Sequence, residues 1–272
     1  MVGDKPLIQH AIDEARKAGV TKFVFVVDDD PISIALLKKQ FLGSDELNAH
    51  LVKQGMTEQL QASKACEVDK TQIFFAVQSD PKGMWDALLS ARPYIKGDSF
   101  AVICPDDLML PVSAGLAEMV KHHKSADQIV AGVERVGKDE VHKYGIVSPG
   151  ITGDEKTVRI EGIVEKPSSD NAPSDIAMTG RYILPATIFD TFDPASVQDK
   201  KAEVGLAHAI HALCRNAEVT AVKTSGKRYD CGSKTGLALA NIRAYQEDAQ
   251  IGAEISAHIK TAAKNKSLDR KK

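Results

Sequence analysis

The chain has 272 residues, 43% of them hydrophobic and 26% charged, enough to bury a full core in one large domain or in one domain with an appendage. Lys and Arg number 35 against 37 Asp and Glu, so the net charge of -2 sets up no long-range field for polyanions and nucleic acid is not an expected partner. No run approaches the roughly 18 apolar residues of a membrane helix, residues 1–6 lack a signal-peptide core, and Cys66, Cys104, Cys214 and Cys231 form no C-x-x-C pair, so a cytoplasmic protein with reduced thiols and no membrane contact is expected.

From Pro6 the apolar residues Leu7, Ile8, Ala11, Ile12 and Ala15 recur at helical spacing, and Gly19 supplies a stop. The apolar run at residues 23–27 follows with no alternation, the pattern of a strand covered on both faces in a parallel sheet. Helical patterns then occupy residues 32–41 and 47–65, a strand 73–77, a helix 84–91, a strand 100–103, a helix 116–123 and a strand 129–133. Strand and helix in strict turn imply a doubly wound α/β core. Beyond Gly145 the candidate strands shorten to residues 145–147, 158–165 and 180–184, separated by turn-forming clusters, and from Ser233 onward the pattern is mostly helical. An α/β nucleotide-binding domain ordinarily opens with a strand and a Gly-rich turn, whereas this sequence opens into a helix.

Several strand ends carry chemistry. Residues 100–103 run straight into Cys104-Pro105-Asp106-Asp107, and ligands of open parallel sheets bind just beyond such carboxyl ends, where two carboxylates suit a hard divalent cation. A turn in which the aspartates cap the next segment is the structural alternative. Asp230, in Tyr229-Asp230-Cys231-Gly232-Ser233, is a second candidate ligand that can meet Asp106 across one cleft, unless Asp230 or Ser233 merely caps the following helix. In Val164-Glu165-Lys166-Pro167, adjacent Glu and Lys point to opposite faces of a strand unless the backbone is re-aimed; Lys suits phosphate and Glu suits paired sugar hydroxyls. His208 and His211 have helical ligand spacing but no recognisable third ligand, so satisfied or surface histidines are the expectation.

In order, Asp4-Lys5-Pro6-Leu7-Ile8-Gln9, Pro105-Asp106-Asp107, Tyr144-Gly145-Ile146-Val147, Val164-Glu165-Lys166-Pro167, Gly180-Arg181-Tyr182-Ile183-Leu184 and Asp230-Cys231-Gly232-Ser233-Lys234 resemble the bacterial UTP-glucose-1-phosphate uridylyltransferases. The resemblance spans Asp4 to about Asn241. It implies a doubly wound, Rossmann-like nucleotidyltransferase fold of the GT-A-like type with a mixed central sheet, residues 1–240 forming that domain and 241–272 a helical extension. It also implies UTP and glucose 1-phosphate as substrates, Mg²⁺ as cofactor and homo-oligomeric assembly.

Carried over by position, Gln78 and Gly83 would contact uracil, Asp106 and Asp230 would hold Mg²⁺, Gly145 and Glu165 would take sugar hydroxyls, and Lys166 would neutralise the sugar phosphate. Gly180 and Glu203 complete the substrate-binding set. A catalytically silent paralogue that modulates an active uridylyltransferase is the competing reading, because the family's Gly-rich loop would precede Asp4. The strand before that loop lies inside the family's sheet, so the resemblance also implies an unpaired apolar edge or a gap beside residues 23–27. Gly83-Met84-Trp85-Asp86-Ala87 also departs from the family pattern, placing an indole where close backbone approach is usual, and residues 203–210 lose three polar side chains.

Overall fold

The structure is a computed structural model, and it describes residues 1–152, 155–196 and 204–269. Glu203, expected above to bind substrate, lies outside the described residues.

The amphipathic helix α1 (Leu7–Lys17) turns Ala11, Ile12 and Ala15 inward and ends before Gly19, whose φ of 85° ordinary side chains resist. Strand β1 (Phe23–Val27) follows it. Helix α2 (Pro31–Leu42) starts on Asp30, whose carboxylate accepts from the N–H groups of Ile32 and Ser33, with Pro31 in the first turn. The helical stretch expected at 47–65 is divided into two helices, α3 (Asp45–Lys53) and α4 (Thr57–Cys66), because Gly55 adopts φ 67° and ends the first. Next come β2 (Ile73–Val77), α5 (Met84–Ala91), β3 (Ser99–Ile103), β4 (Asp107–Leu110), α6 (Leu116–Val120), β5 (Ile129–Arg135), β6 (Gly145–Thr152), β7 (Thr157–Glu165) and β8 (Ile176–Pro185). The rest comprises α7 (Ile188–Thr191), α8 (Leu206–Leu213), β9 (Val219–Lys223), β10 (Lys227–Asp230), α9 (Lys234–Gln246) and α10 (Gly252–Asp269). Helix α9 crosses residue 240 without a break, so the expected boundary there falls inside a helix.

The sheet is mixed, and less continuous than the alternation of elements suggested. β1 and β2 pair in parallel with each other, and β4 and β10 form an antiparallel ribbon. Six strands follow the order β3-β8-β5-β9-β7-β6, parallel only between β5 and β9. β6 also touches β8 where Ile146 meets Ala177, so this sheet curls back on itself. The apolar run of β3 is therefore no parallel neighbour of β1; it pairs antiparallel with β8, every residue of which is buried. An apolar run reports that a strand is covered, not which way its neighbour runs.

Among the described residues β1 pairs with β2 alone, which matches the expected open edge. Coverage of β1 on both faces is not found: Val26 is 36% exposed, as is 41% of Val77 on β2. The main core lies between the curled sheet and α5, α7 and α8, with Ile129, Ala131, Ile160, Leu184, Ile188 and Ile210 at its centre. A smaller core joins α1 to β1 and β2 through Ile12, Phe23, Phe25 and Ile73, and Ile103 of β3 packs against it.

Candidate active site

At the end of β3 the chain turns through Cys104-Pro105-Asp106-Asp107, and two anchors fix that turn. The Cys104 N–H donates to the Gly180 carbonyl at 2.8 Å, and the Gly180 N–H donates to Asp107 Oδ2 at 2.9 Å. From the other side the Arg181 guanidinium donates to the Cys104 carbonyl at 3.1 Å. Arg181 is itself clamped by Glu14 of α1 in a two-pronged pair, 3.1 Å from Nε and 2.8 Å from Nη2, with both side chains almost wholly buried. Burial and the carboxylates of Asp107 and Asp106 push the Cys104 thiol up to about 12, so it stays protonated and unreactive.

The two adjacent aspartates do different work. Asp107 is bound on both oxygens, by Gly180 and by Arg228 at 2.6 Å, and Arg228 also pairs with Glu134 at 2.5 Å. Burial opposes the Arg228 charge, but the carboxylates of Asp107 and Glu134 outweigh it and raise the guanidinium further above its usual range. Asp107 is thus structural, held by Gly180 and Arg228 rather than capping the next segment, while Asp106 is exposed beside it.

Asp230 closes the other side. It pairs with Asp107 across the β4–β10 ribbon, and the Cys231 N–H donates to the Asp106 carbonyl at 2.7 Å. Ser233, not Asp230, caps α9: its hydroxyl oxygen accepts from the Gly236 N–H at 3.0 Å. Among the described residues that leaves the Asp230 carboxylate holding only the Gly232 N–H, at 3.1 Å. A Cβ on Gly232 would lie 3.2 Å from Asp230 Oδ1 and 3.5 Å from Asp106 Oδ2, so the missing side chain keeps open a space that both carboxylates face.

Arg228 carries the site onward. Its guanidinium lies 4.6 Å over the Tyr144 ring, and the Tyr144 carbonyl accepts from the Lys166 N–H at 3.0 Å. Gly145 opens β6 opposite Glu165, and a Cβ there would sit 3.1 Å from Glu165 Oε2 and 3.4 Å from Ala207. Lys166 adopts φ 46°, the re-aimed backbone that adjacent Glu and Lys required, and its ammonium lies 3.9 Å from Glu165 Oε1. Both therefore face the same side.

At the end of β2, Gln78 donates both its amide hydrogens, to Asp86 Oδ2 at 2.8 Å and to the Gly83 carbonyl at 3.3 Å, leaving its own oxygen without a partner among the described residues. Gly83 enters α5 at φ 107°, which explains the glycine.

A family model described as Nucleotidyl transferase matches residues 1–247. The chain is 32% identical over 248 residues to a UTP-glucose-1-phosphate uridylyltransferase of Bacillus subtilis, covering 91% of this chain and 83% of that protein. It is a nucleotidyl transferase of the UTP-glucose-1-phosphate uridylyltransferase family. Among solved structures it superposes on a UTP-bound UGPase of Acinetobacter baumannii with a TM-score of 0.81 and 29% identity, over 95% of this chain and 88% of that one. It also superposes on a UDP-glucose pyrophosphorylase complexed with UDP-glucose, with a TM-score of 0.74 and 27% identity over 90% and 88% of the two chains.

Two departures of this uridylyltransferase-family chain take a different form in three dimensions. Trp85 does not crowd the Gln78 loop; its indole is buried in the main core, edge-on to Phe192 at a centroid distance of 4.8 Å. His208 and His211 are each hydrogen-bonded through Nδ1. The first accepts from the Gly205 N–H at 3.1 Å and the second from the Ile163 N–H at 3.0 Å, the satisfied histidines expected.

Arg228, Glu134, Glu14 and Arg181 were not singled out as site residues by sequence reasoning. Each is a charged residue inside an ordinary strand or helix pattern, and only the fold shows that they hold the aspartate turn. Gly180, expected to bind substrate, has a packing reason to be glycine: a Cβ would lie 2.5 Å from Cys104 Cβ and 2.9 Å from Asp107 Oδ2. Gly180→Ala is expected to cost about 1–3 kcal/mol of stability by overpacking. Urea unfolding checks it, and an unchanged midpoint would show that the turn yields without strain.

Proposed function

We propose that this protein is a UTP-glucose-1-phosphate uridylyltransferase that uses Mg²⁺ in the cytoplasm. The observation that carries the reading is the convergence of Asp106 and Asp230 on the open face of Gly232, joined through Arg228 and Tyr144 to the Gly145, Glu165 and Lys166 corner. The relatives' names and bound nucleotides support the substrate class. Four free cysteines fit a reducing compartment, and among the described residues no helix is long and apolar enough to cross a membrane.

In this reading a phosphate oxygen of glucose 1-phosphate attacks the α-phosphorus of UTP, the bond to the β-phosphate breaks, and UDP-glucose and pyrophosphate result. Positioning and charge stabilisation supply most of such catalysis. Two exposed or half-exposed carboxylates on one glycine-floored space fit a hard cation that keeps several waters, so Asp106 and Asp230 would hold Mg²⁺, which neutralises phosphate oxygens. Lys166 brings an ammonium to the sugar phosphate, Glu165 accepts from sugar hydroxyls, and Gly145 leaves room for the ring. The Gln78 oxygen accepts from the uracil N3–H, with Gly83 allowing close approach.

Pyrophosphate release from UTP and glucose 1-phosphate by the purified protein tests the reading; no turnover with any sugar 1-phosphate would sink it. Lys166→Ala is expected to raise KM for glucose 1-phosphate by roughly tenfold or more while leaving KM for UTP nearly unchanged. The reverse split would remove the phosphate role.

A further inference from the structure

A cavity of about 530 Å³ takes no part in the reaction proposed above. It lies at the amino-terminal ends of β5 and β9, where Gln128 and Glu218 stand, whereas Glu134 and the Asp106 turn lie at the carboxyl ends of β5 and β3. β5 has seven residues, so roughly 20 Å separates the two ends.

Three cations rim this cavity: Lys124 from the segment before β5, Arg159 of β7 and Arg215 after α8. Among the described residues their side chains hold no ion pair and no hydrogen bond, unlike Arg181 and Arg228 at the other end. Glu218, the one carboxylate among the described lining residues, already accepts from the Gln128 amide at 3.1 Å. Like charges held together repel one another, and the relief available is an anion.

The floor is fixed in advance. Gln128 is only 2% exposed, yet its oxygen accepts from the Lys124 N–H at 2.7 Å and its amide donates to Glu218 and to Thr220 Oγ1, each at 3.1 Å. Burying an amide is costly unless it is fully bonded, and these bonds lock the Lys124 segment to β9. Arg159 stands opposite Thr220 in the β7–β9 pairing, so the same lock sets its place. One wall is apolar, formed by Val158, Ala217 and Ile151, and Ile151 is 89% exposed.

We propose that this cavity binds a small phosphorylated molecule, with its phosphate on Lys124, Arg159 and Arg215 and its carbon body against Ile151 and Val158. The volume lies within the range of small-molecule sites. The proposal does not depend on the uridylyltransferase reading.

Isothermal titration with inorganic phosphate and with phenyl phosphate at low ionic strength tests it, on the full chain, on Lys166→Ala and on the Arg159→Ser/Arg215→Ser pair. Phenyl phosphate is expected to bind more tightly than inorganic phosphate, to bind Lys166→Ala as well as it binds the unaltered protein, and to bind the paired variant at least roughly tenfold more weakly. Both arginines are exposed, so the paired variant is expected to unfold at the same temperature as the parent. Absence of saturable binding, or binding that Lys166→Ala abolishes and the paired variant keeps, would overturn the proposal. Should the paired variant misfold, each single Arg→Ser variant must show weakened phenyl phosphate binding, and undiminished binding in both would overturn it equally.

Discussion

Replacing Arg181 by Met is expected to destabilise the fold by about 3–5 kcal/mol, because it leaves the Glu14 carboxylate buried without its counter-charge. The pair joins α1 to β8, and Glu14 also accepts from the Leu116 N–H at 2.9 Å, while Arg181 holds the Cys104 carbonyl. Two buried charges removed together leave no unpaired ion, so Glu14→Leu with Arg181→Met should recover part of the loss. Full recovery is not expected, since the Leu116 N–H and the Cys104 carbonyl each lose a partner, at about 1–3 kcal/mol apiece. Urea unfolding of the two singles and the double supplies the coupling energy. A double variant as unstable as the Arg181 single would show that the electrostatic account is wrong and that packing around the guanidinium stem decides the effect.

The neighbouring aspartates should separate cleanly under the same kind of substitution. Asp106→Asn and Asp230→Asn are each expected to lower uridylyltransferase turnover by on the order of 10²-fold or more, since in the proposed reading each removes charge aimed at the reacting phosphates. Neither should change the unfolding free energy by more than about 0.5 kcal/mol, for Asp106 is exposed and, among the described residues, Asp230 holds one backbone N–H. Weakened Mn²⁺ binding in both, read by the electron-spin signal of the free ion, supplies a measure independent of activity. Asp107→Asn should behave in the opposite sense, costing stability first, because Arg228 is left buried with Glu134 alone. Full turnover by Asp106→Asn, with Mn²⁺ affinity intact, would move the cation site elsewhere in the cleft.

Local chemistry made much of this protein legible. Helix α1 is readable in the spacing of Leu7, Ile8, Ala11, Ile12 and Ala15, and β1 and β2 in their apolar runs, because burial and backbone period are properties of neighbouring residues. Asp106, Asp230, Glu165 and Lys166 stood out at strand ends, and the fold brings the two aspartates to one glycine-floored space and turns Glu165 and Lys166 to one side. The division of the helical stretch at 47–65 is not legible in the sequence, because a single Gly55 can lie within a helical pattern or end it, and its φ is settled by packing.

By itself, then, the order of residues determined the α/β class, the strand-end carboxylates and the family resemblance, all of which depend on side-chain type and short-range spacing. Tertiary structure alone decided that β3 pairs antiparallel with β8 and that β4 and β10, four residues each, form a ribbon setting Asp230 opposite Asp107. It alone assigned Asp107 to Arg228 and left Asp106 open, a division of labour between identical neighbours that no local pattern encodes. The physical reason is that a buried charge is placed by what surrounds it: Glu14 and Arg181 are separated by 167 positions in sequence, and only the closed core makes their pairing obligatory.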